Sequence, residues 1–149
     1  MKENILINET DFNKARKKIR EVKDKEITFS SNDDDLNRKI LEKENINILL
    51  INQLERKDFQ KQRNSGFNQV LAKIAKKKNI EIGINLDEII NSNTKEKAEI
   101  LARIKQNIKL CNKNKLKMRF ILIKEKRNLY DLKSLGLILG MPTWMIKDF

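Results

Sequence analysis

The residues of this chain that could do chemistry are few in kind. Among 149 residues there is no histidine, so the usual general base near neutral pH, the usual partner of serine and cysteine nucleophiles and the commonest metal-ligating side chain are all missing. Serine-triad hydrolases, papain-like proteases and histidine-ligated zinc hydrolases are thereby excluded. The single Cys111 can build neither a thiolate zinc site nor an internal disulfide. Carboxylates are numerous but do not pair as an acid and a base. Glu81 alternates with Ile80 and Ile82 as on a strand, and Asp87 and Glu88 read as the start of a helix. The run Asn32-Asp33-Asp34-Asp35 favours a helix cap over a magnesium site, because no second carboxylate cluster accompanies it. The glycines stand isolated at Gly66, Gly83, Gly136 and Gly140, so there is no phosphate-cradling loop and no dinucleotide fingerprint. No catalytic residue, metal ligand or chain-bound cofactor is expected.

What the chain has in excess is cation. With 33 Lys and Arg against 21 Asp and Glu, its net charge is +12 and its pI about 9.8, the electrostatic footprint of a protein that meets a polyanion. Lys, Asn and Ile also dominate together and share codons rich in A and T, so charge alone leaves compositional drift as an alternative. Aromatics make up only 5%, and Phe12, Phe29, Phe67 and Phe120 fall at core positions; structured RNA read by shape and backbone is expected, without stacking platforms. No apolar run approaches the ~20 residues of a membrane span, and residues 1–10 do not read as a secretory signal. A cytoplasmic protein with no membrane partner is expected.

The elements that must position these cations alternate in type. Short apolar runs at 5–7, 27–30, 47–51, 80–84 and 118–123 are separated by amphipathic stretches, the pattern of strand–helix units around a mostly parallel sheet. In residues 11–22, Phe12, Ala15 and Ile19 share one helical face and Lys14, Lys17, Lys18 and Arg20 take the other. A second helix follows the acidic run through Leu36, Ile40 and Leu41. From Phe67 onward, Val70, Leu71, Ile74 and Ala75 repeat at three and four, leaving Lys73, Lys76, Lys77 and Lys78 as a solvated basic face. Asn93 and Glu96 resemble a capping box, and Leu101, Ile104, Ile108 and Cys111 form the buried line of a helix ending near Asn112, with Arg103, Lys105, Lys109 and Lys113 on its other faces. A last helix spans 131–139 and is stopped by Gly140 and Pro142. A complete (β/α)8 barrel takes about 250 residues, so this length supplies roughly five of the eight units. The fold class is therefore α/β, a shortened and incomplete TIM-barrel-like parallel sheet with surrounding helices. It is expected to form one domain over 1–149 whose open sheet edges a partner protein covers.

The segment Gln62-Arg63-Asn64-Ser65-Gly66-Phe67-Asn68-Gln69-Val70-Leu71-Ala72-Lys73-Ile74-Ala75 resembles the central signature of ribonuclease P protein component 3, the archaeal relative of a eukaryotic thirty-kilodalton subunit. Ile82-Gly83-Ile84-Asn85-Leu86 is similar to the strand that follows in that family, and residues 100–111 to its long helix. Upstream, residues 34–41 resemble its short Asn-Arg helix before a strand at 46–51; near the end, Arg127, Asp131, Leu132, Leu135 and residues 139–141 resemble its closing helix. There are departures. Relatives carry a histidine near the Asn-Ser-Gly signature where this chain has Gln62 and Gln69, and the connection Lys124-Glu125-Lys126-Arg127 is shorter than theirs.

The resemblance implies a subunit of the ribonuclease P ribonucleoprotein that binds ribonuclease P RNA, pairs with protein component 2 and meets precursor tRNA in the assembled complex, where 5′ leaders are removed. It also implies that bond breaking belongs to the RNA and to magnesium ions on it. The alternative is another basic RNA-binding ribonucleoprotein subunit with no role in tRNA 5′ processing. Functional groups of α/β sheets gather at strand ends and the loops behind them, which selects Arg38, Lys57, Lys61, Arg63, Asn64, Ser65, Arg103, Lys124, Lys126 and Arg127 as RNA contacts. Four of these have a structural alternative: an ion pair for Arg38 or Arg63, and helix capping for Asn64 and Ser65.

Overall fold

The computed structural model describes residues 3–149. Five parallel strands, β1 (Asn4–Asn8), β2 (Glu26–Ser30), β3 (Ile48–Ile51), β4 (Glu81–Asn85) and β5 (Met118–Ile121), pair in sequence order. Between them run α1 (Phe12–Glu21), α2 (Asp34–Lys43) and α3 (Gln69–Lys78), then the pair α4 (Leu86–Asn91) and α5 (Thr94–Lys113); α6 (Leu129–Leu139) and α7 (Thr143–Ile146) follow β5. All five strands lie where the apolar runs place them. β4 sits one residue later and β5 stops two earlier, because the Asp87 carboxylate gathers the backbone N–H groups of Ile123, Lys124 and Glu125 at 3.4, 2.8 and 3.3 Å and turns the chain away.

A strand order without reversal has no topological switch point, so right-handed crossovers set all the helices on one face. Side-chain alternation follows. Ile27, Phe29, Leu49, Ile51, Ile82, Ile84, Met118 and Phe120 enter the cluster shared with Ala15, Ile40, Leu71, Ala75, Ile104, Ile108 and Cys111 of the helices. On the opposite face Thr28, Ile48 and Leu50 are also buried. Gly83 makes this possible, since a Cβ there would come within 3.1–3.2 Å of Ile121, Ile48 and Leu50. The same face carries Arg119 of β5, whose Nε lies 2.6 Å from the Glu81 carboxylate and whose Nη1 lies 3.3 Å from that of Glu26. Strands β2 and β5 are three positions apart, or about 14 Å if the sheet were flat, so this contact requires the sheet to curl. The result is an open, barrel-like segment with β1 and β5 as its edges among the described residues.

Helix ends follow local chemistry. Asp11, Asp33, Asn68, Asn85, Asn93 and Asn128 each accept a hydrogen bond from a first-turn N–H, while Asn79 and Gly140 take the left-handed conformation that closes α3 and α6. Three expectations are corrected. The cap of α3 is Asn68, not Asn64 or Ser65, so its register shifts and Val70 is half exposed at 51%. Lys78 leaves the solvated face: half-buried, it donates to the carbonyls of Leu41 and Glu44 at the C-terminus of α2, while Lys73, Lys76 and Lys77 stay exposed. Leu101 is only half-buried on α5, whose covered face includes Arg103 and Asn107 instead. No helix among the described residues is long and apolar enough to cross a membrane.

Cys111 is fully buried, and burial pushes its thiol pKa up to about 12. Because the thiolate is the reactive form, a thiol reagent at about pH 8 is expected to leave native protein unlabelled, with labelling rising along the same urea curve as loss of helical signal. Rapid stoichiometric labelling of folded protein would refute this placement of α5.

Candidate nucleic-acid interface

The carboxyl ends of the strands, where α/β sheets usually do chemistry, carry amides here. The Asn52 amide donates to Ser30 Oγ at 2.9 Å and to Asn32 Oδ1 at 3.3 Å, and Asn85 donates to Asn52 Oδ1 at 2.9 Å. Amides do not titrate near neutrality, so this chain of side chains shapes the surface and cannot relay a catalytic proton. Glu88 stands beside it. Burial raises its pKa, offset by the backbone N–H groups of Gln53 and Leu54, and its carboxylate accepts from Gln53 N at 2.8 Å. It anchors the start of a loop. Among the described residues, no three His, Cys, Asp or Glu side chains gather as metal ligands.

That loop, residues 52–68 between β3 and α3, is fixed by two guanidinium groups. Arg56 reaches both oxygens of Asp34 at 2.8 and 2.9 Å and donates from Nε to the Asn52 carbonyl at 2.7 Å, a bidentate pair that ties the loop to the start of α2. Arg103 rises from α5 beneath the loop, donating to Asp58 Oδ1 at 2.9 Å, to the Gln53 carbonyl at 3.0 Å and to the Arg56 carbonyl at 2.9 Å. Amides complete the clamp. Gln53 and Asn107 both donate to the Ser65 carbonyl, and Gln106 donates to the Arg63 carbonyl and Ser65 Oγ. Gly66 closes the loop at φ +74°, where any Cβ would lie 2.4 Å from the Arg56 guanidinium.

The ten selected positions separate into three sets. Arg38, Arg63 and Asn64 line one cleft of about 520 Å³, and Lys57 and Lys61 lie exposed on the same loop. Arg38 and Arg63 each hold an ion pair, to Glu42 at 2.8 Å and to Asp58 at 3.2 Å, while keeping about half of each side chain open to solvent. Lys124, Lys126 and Arg127 are exposed on the loop that Asp87 holds, at the same end of the sheet. The third set is internal. Arg103 is only 3% exposed and its donors point into the loop, so it positions the surface instead of meeting phosphate. Ser65 is likewise buried at 2%, with its hydroxyl turned to the Phe67 carbonyl. Sequence reading missed Arg56, Asp34, Asp58 and Phe59. Only Phe59 had a local signal, an aromatic stranded among polar loop residues outside every apolar stripe.

No family model matches the chain. A ribonuclease P protein component 3 from Methanosarcina mazei is 32% identical over 99 residues, covering 66% of this chain and 38% of that protein. One from Methanococcus maripaludis is 27% identical over 106 residues, covering 71% and 43%. The chain thus spans about two fifths of the length of these curated relatives. A chain in a cryo-EM structure of archaeal ribonuclease P with mature tRNA superposes with a TM-score of 0.81 at 25% identity, over 98% of this chain and 63% of that one.

The Arg103 hydrogen bond, together with the Asn64 amide and the charges of Arg103 and Arg63, holds the Asp58 carboxyl below its ordinary value of 3.8 despite partial desolvation. The native state binds that proton less readily than the unfolded chain. Its stabilisation is therefore complete above pH 3.8 and is lost as pH falls through the lower folded value. Asp58→Asn is expected to lower the thermal midpoint at neutral pH, with the gap from wild type closing in acid; a gap independent of pH would contradict the clamp. Arg103→Met is expected to cost about 3 kcal/mol in urea unfolding, because two carbonyls and a carboxylate lose their donor.

Proposed function

We propose that this chain, a homologue of archaeal ribonuclease P protein component 3, is a protein subunit of a ribonuclease P ribonucleoprotein, binding its catalytic RNA and supporting removal of 5′ leaders from precursor tRNA. One observation carries the reading: 98% of the chain shares its backbone with a chain of archaeal ribonuclease P. The side chains suit that role. A loop clamped by Arg56 and Arg103 presents Lys57, Lys61 and Arg63 beside Arg38, and a second loop presents Lys124, Lys126 and Arg127 at the same end of the sheet. Arg offers a planar fork to phosphate and Lys a mobile point charge, so the surface suits a folded sugar-phosphate backbone.

In this reading the scissile chemistry belongs to the RNA and the magnesium ions it holds, and the chain acts in the cytoplasm. Precursor tRNA is met in the assembled particle. Protein component 2 is the expected protein partner, covering surface that the open sheet leaves exposed.

Reconstitution tests the proposal. Combining the RNA with the remaining subunits, with and without this chain, is expected to show slower leader removal when it is left out. An unchanged rate and unchanged assembly would assign the chain to a different ribonucleoprotein. Affinity for the RNA should fall steeply with salt, and changing Lys57, Lys61 and Arg63 together to Gln should lower the log–log slope by roughly two, at 0.7–0.9 per phosphate contact. A salt-independent affinity would remove the electrostatic basis of the reading.

A further inference from the structure

The cleft that gathers Arg38, Arg63 and Asn64 also contains the ring of Phe59, which is 59% exposed and belongs to no hydrophobic cluster. A large apolar side chain in water is normally a neutral accident, but this one sits at a fixed place. Its chain neighbour Asp58 is bonded to Arg103, Arg63 and the Asn64 backbone, so the segment carrying the ring is ordered before any ligand arrives. The cleft holds about 520 Å³, within the range that receives a small organic ligand.

Its walls divide by chemistry. Arg38 spends Nε on Glu42 and Arg63 spends Nη1 on Asp58, leaving the other guanidinium N–H groups of each without side-chain partners among the described residues. Asp34 is neutralised by its bidentate pair with Arg56, and Asp35 beside it leaves one carboxylate on this wall without an ion pair among the described residues. The Gln62 amide lines the cleft with no hydrogen-bond partner within the described protein. One aromatic face, two partly free guanidinium groups and an unengaged amide match, respectively, a base plane, a phosphate and a base edge.

Resting on the reading that this chain binds RNA, we propose that the cleft receives a single unpaired nucleotide, with its base stacked on Phe59, its phosphate toward Arg38 and Arg63, and its edge toward Gln62. The protein thereby recognises one extruded base within an RNA otherwise held by its backbone. A single contact of this kind is compatible with the absence of stacking platforms expected from composition.

The test uses the full chain and two short RNA duplexes of the same sequence, one carrying a single bulged nucleotide. Wild-type protein is expected to prefer the bulged duplex by about tenfold, since stacking on an aromatic commonly contributes that order. Phe59→Ala should lose the preference while keeping its affinity for the plain duplex and its salt slope. Phe59→Trp should keep the preference, and Phe59→Leu, apolar but not aromatic, should not. If wild type binds both duplexes equally, or if Phe59→Ala retains the preference, the nucleotide pocket is wrong and the general RNA reading stands. If wild type binds neither duplex at low salt, both fail together.

Discussion

A guanidinium removed from water keeps its charge and must find acceptors for its N–H groups, and Arg103 does so by holding a loop. Its partners are a carboxylate at Asp58 and main-chain carbonyls of residues 53 and 56, so one side chain from α5 sets the path of the β3–α3 connection. Connections longer than about 12–15 residues without secondary structure are usually mobile or functional. This one has no regular element from residue 52 to 68 yet is pinned at both ends and in the middle. The exposed cations and the Phe59 ring owe their placement to that pinning; without it they would be a charged tether whose ordering each ligand would have to oppose.

A second arginine, half-exposed, shapes the sheet through its ion pairs. Arg119 bridges Glu81 and Glu26 across the concave side, where Gly83 lets Ile48, Leu50 and Ile121 close together. The loops after β3 and β5 stand at the carboxyl end of this curled sheet, where Asn85 donates to Asn52 and Asn52 to Ser30 across the ends of β4, β3 and β2. The two ion-pair systems thus act at different levels: one bends the platform, and the other aims what stands on it.

The strands and most helices were legible because their signals are local. Period-two and period-3.6 apolar patterns and capping residues act within a few positions, and the corrections arose where two local signals competed. Asn64, Ser65 and Asn68 are all good caps, and only the clamp on the Ser65 carbonyl decides among them. Arg103 was misread for a different reason. Its spacing from Ile100 and Ile104 places it on the covered face, but its charge argues for water, and what reverses that argument is Asp58, which lies 45 residues away in sequence. Arg56, Asp34 and Lys78 share this character: each is explained by a partner far along the chain. No periodicity reports such pairings.

These internal roles change how the net charge is to be understood. Arg16 and Arg20 hold the buried Glu44, Arg56 and Arg103 hold the loop, Arg119 holds the sheet, and Lys78 caps α2. Arginine's rigid, multidentate fork is used mainly for ion pairs within the fold, by the buried Arg103, the half-buried Arg56 and Arg119 and the exposed Arg16 and Arg20. The exposed cations on the loops are mostly lysines, with Arg63 and Arg127 as exceptions, and Arg38 stands exposed on α2. Mobile lysines attract a polyanion without dictating its register, so directional contacts on this surface fall to Arg38, Arg63 and Arg127, two of which flank the cleft beside Phe59. Under the proposed function, a surface built this way would draw folded RNA in by charge from many sides and orient it at one place.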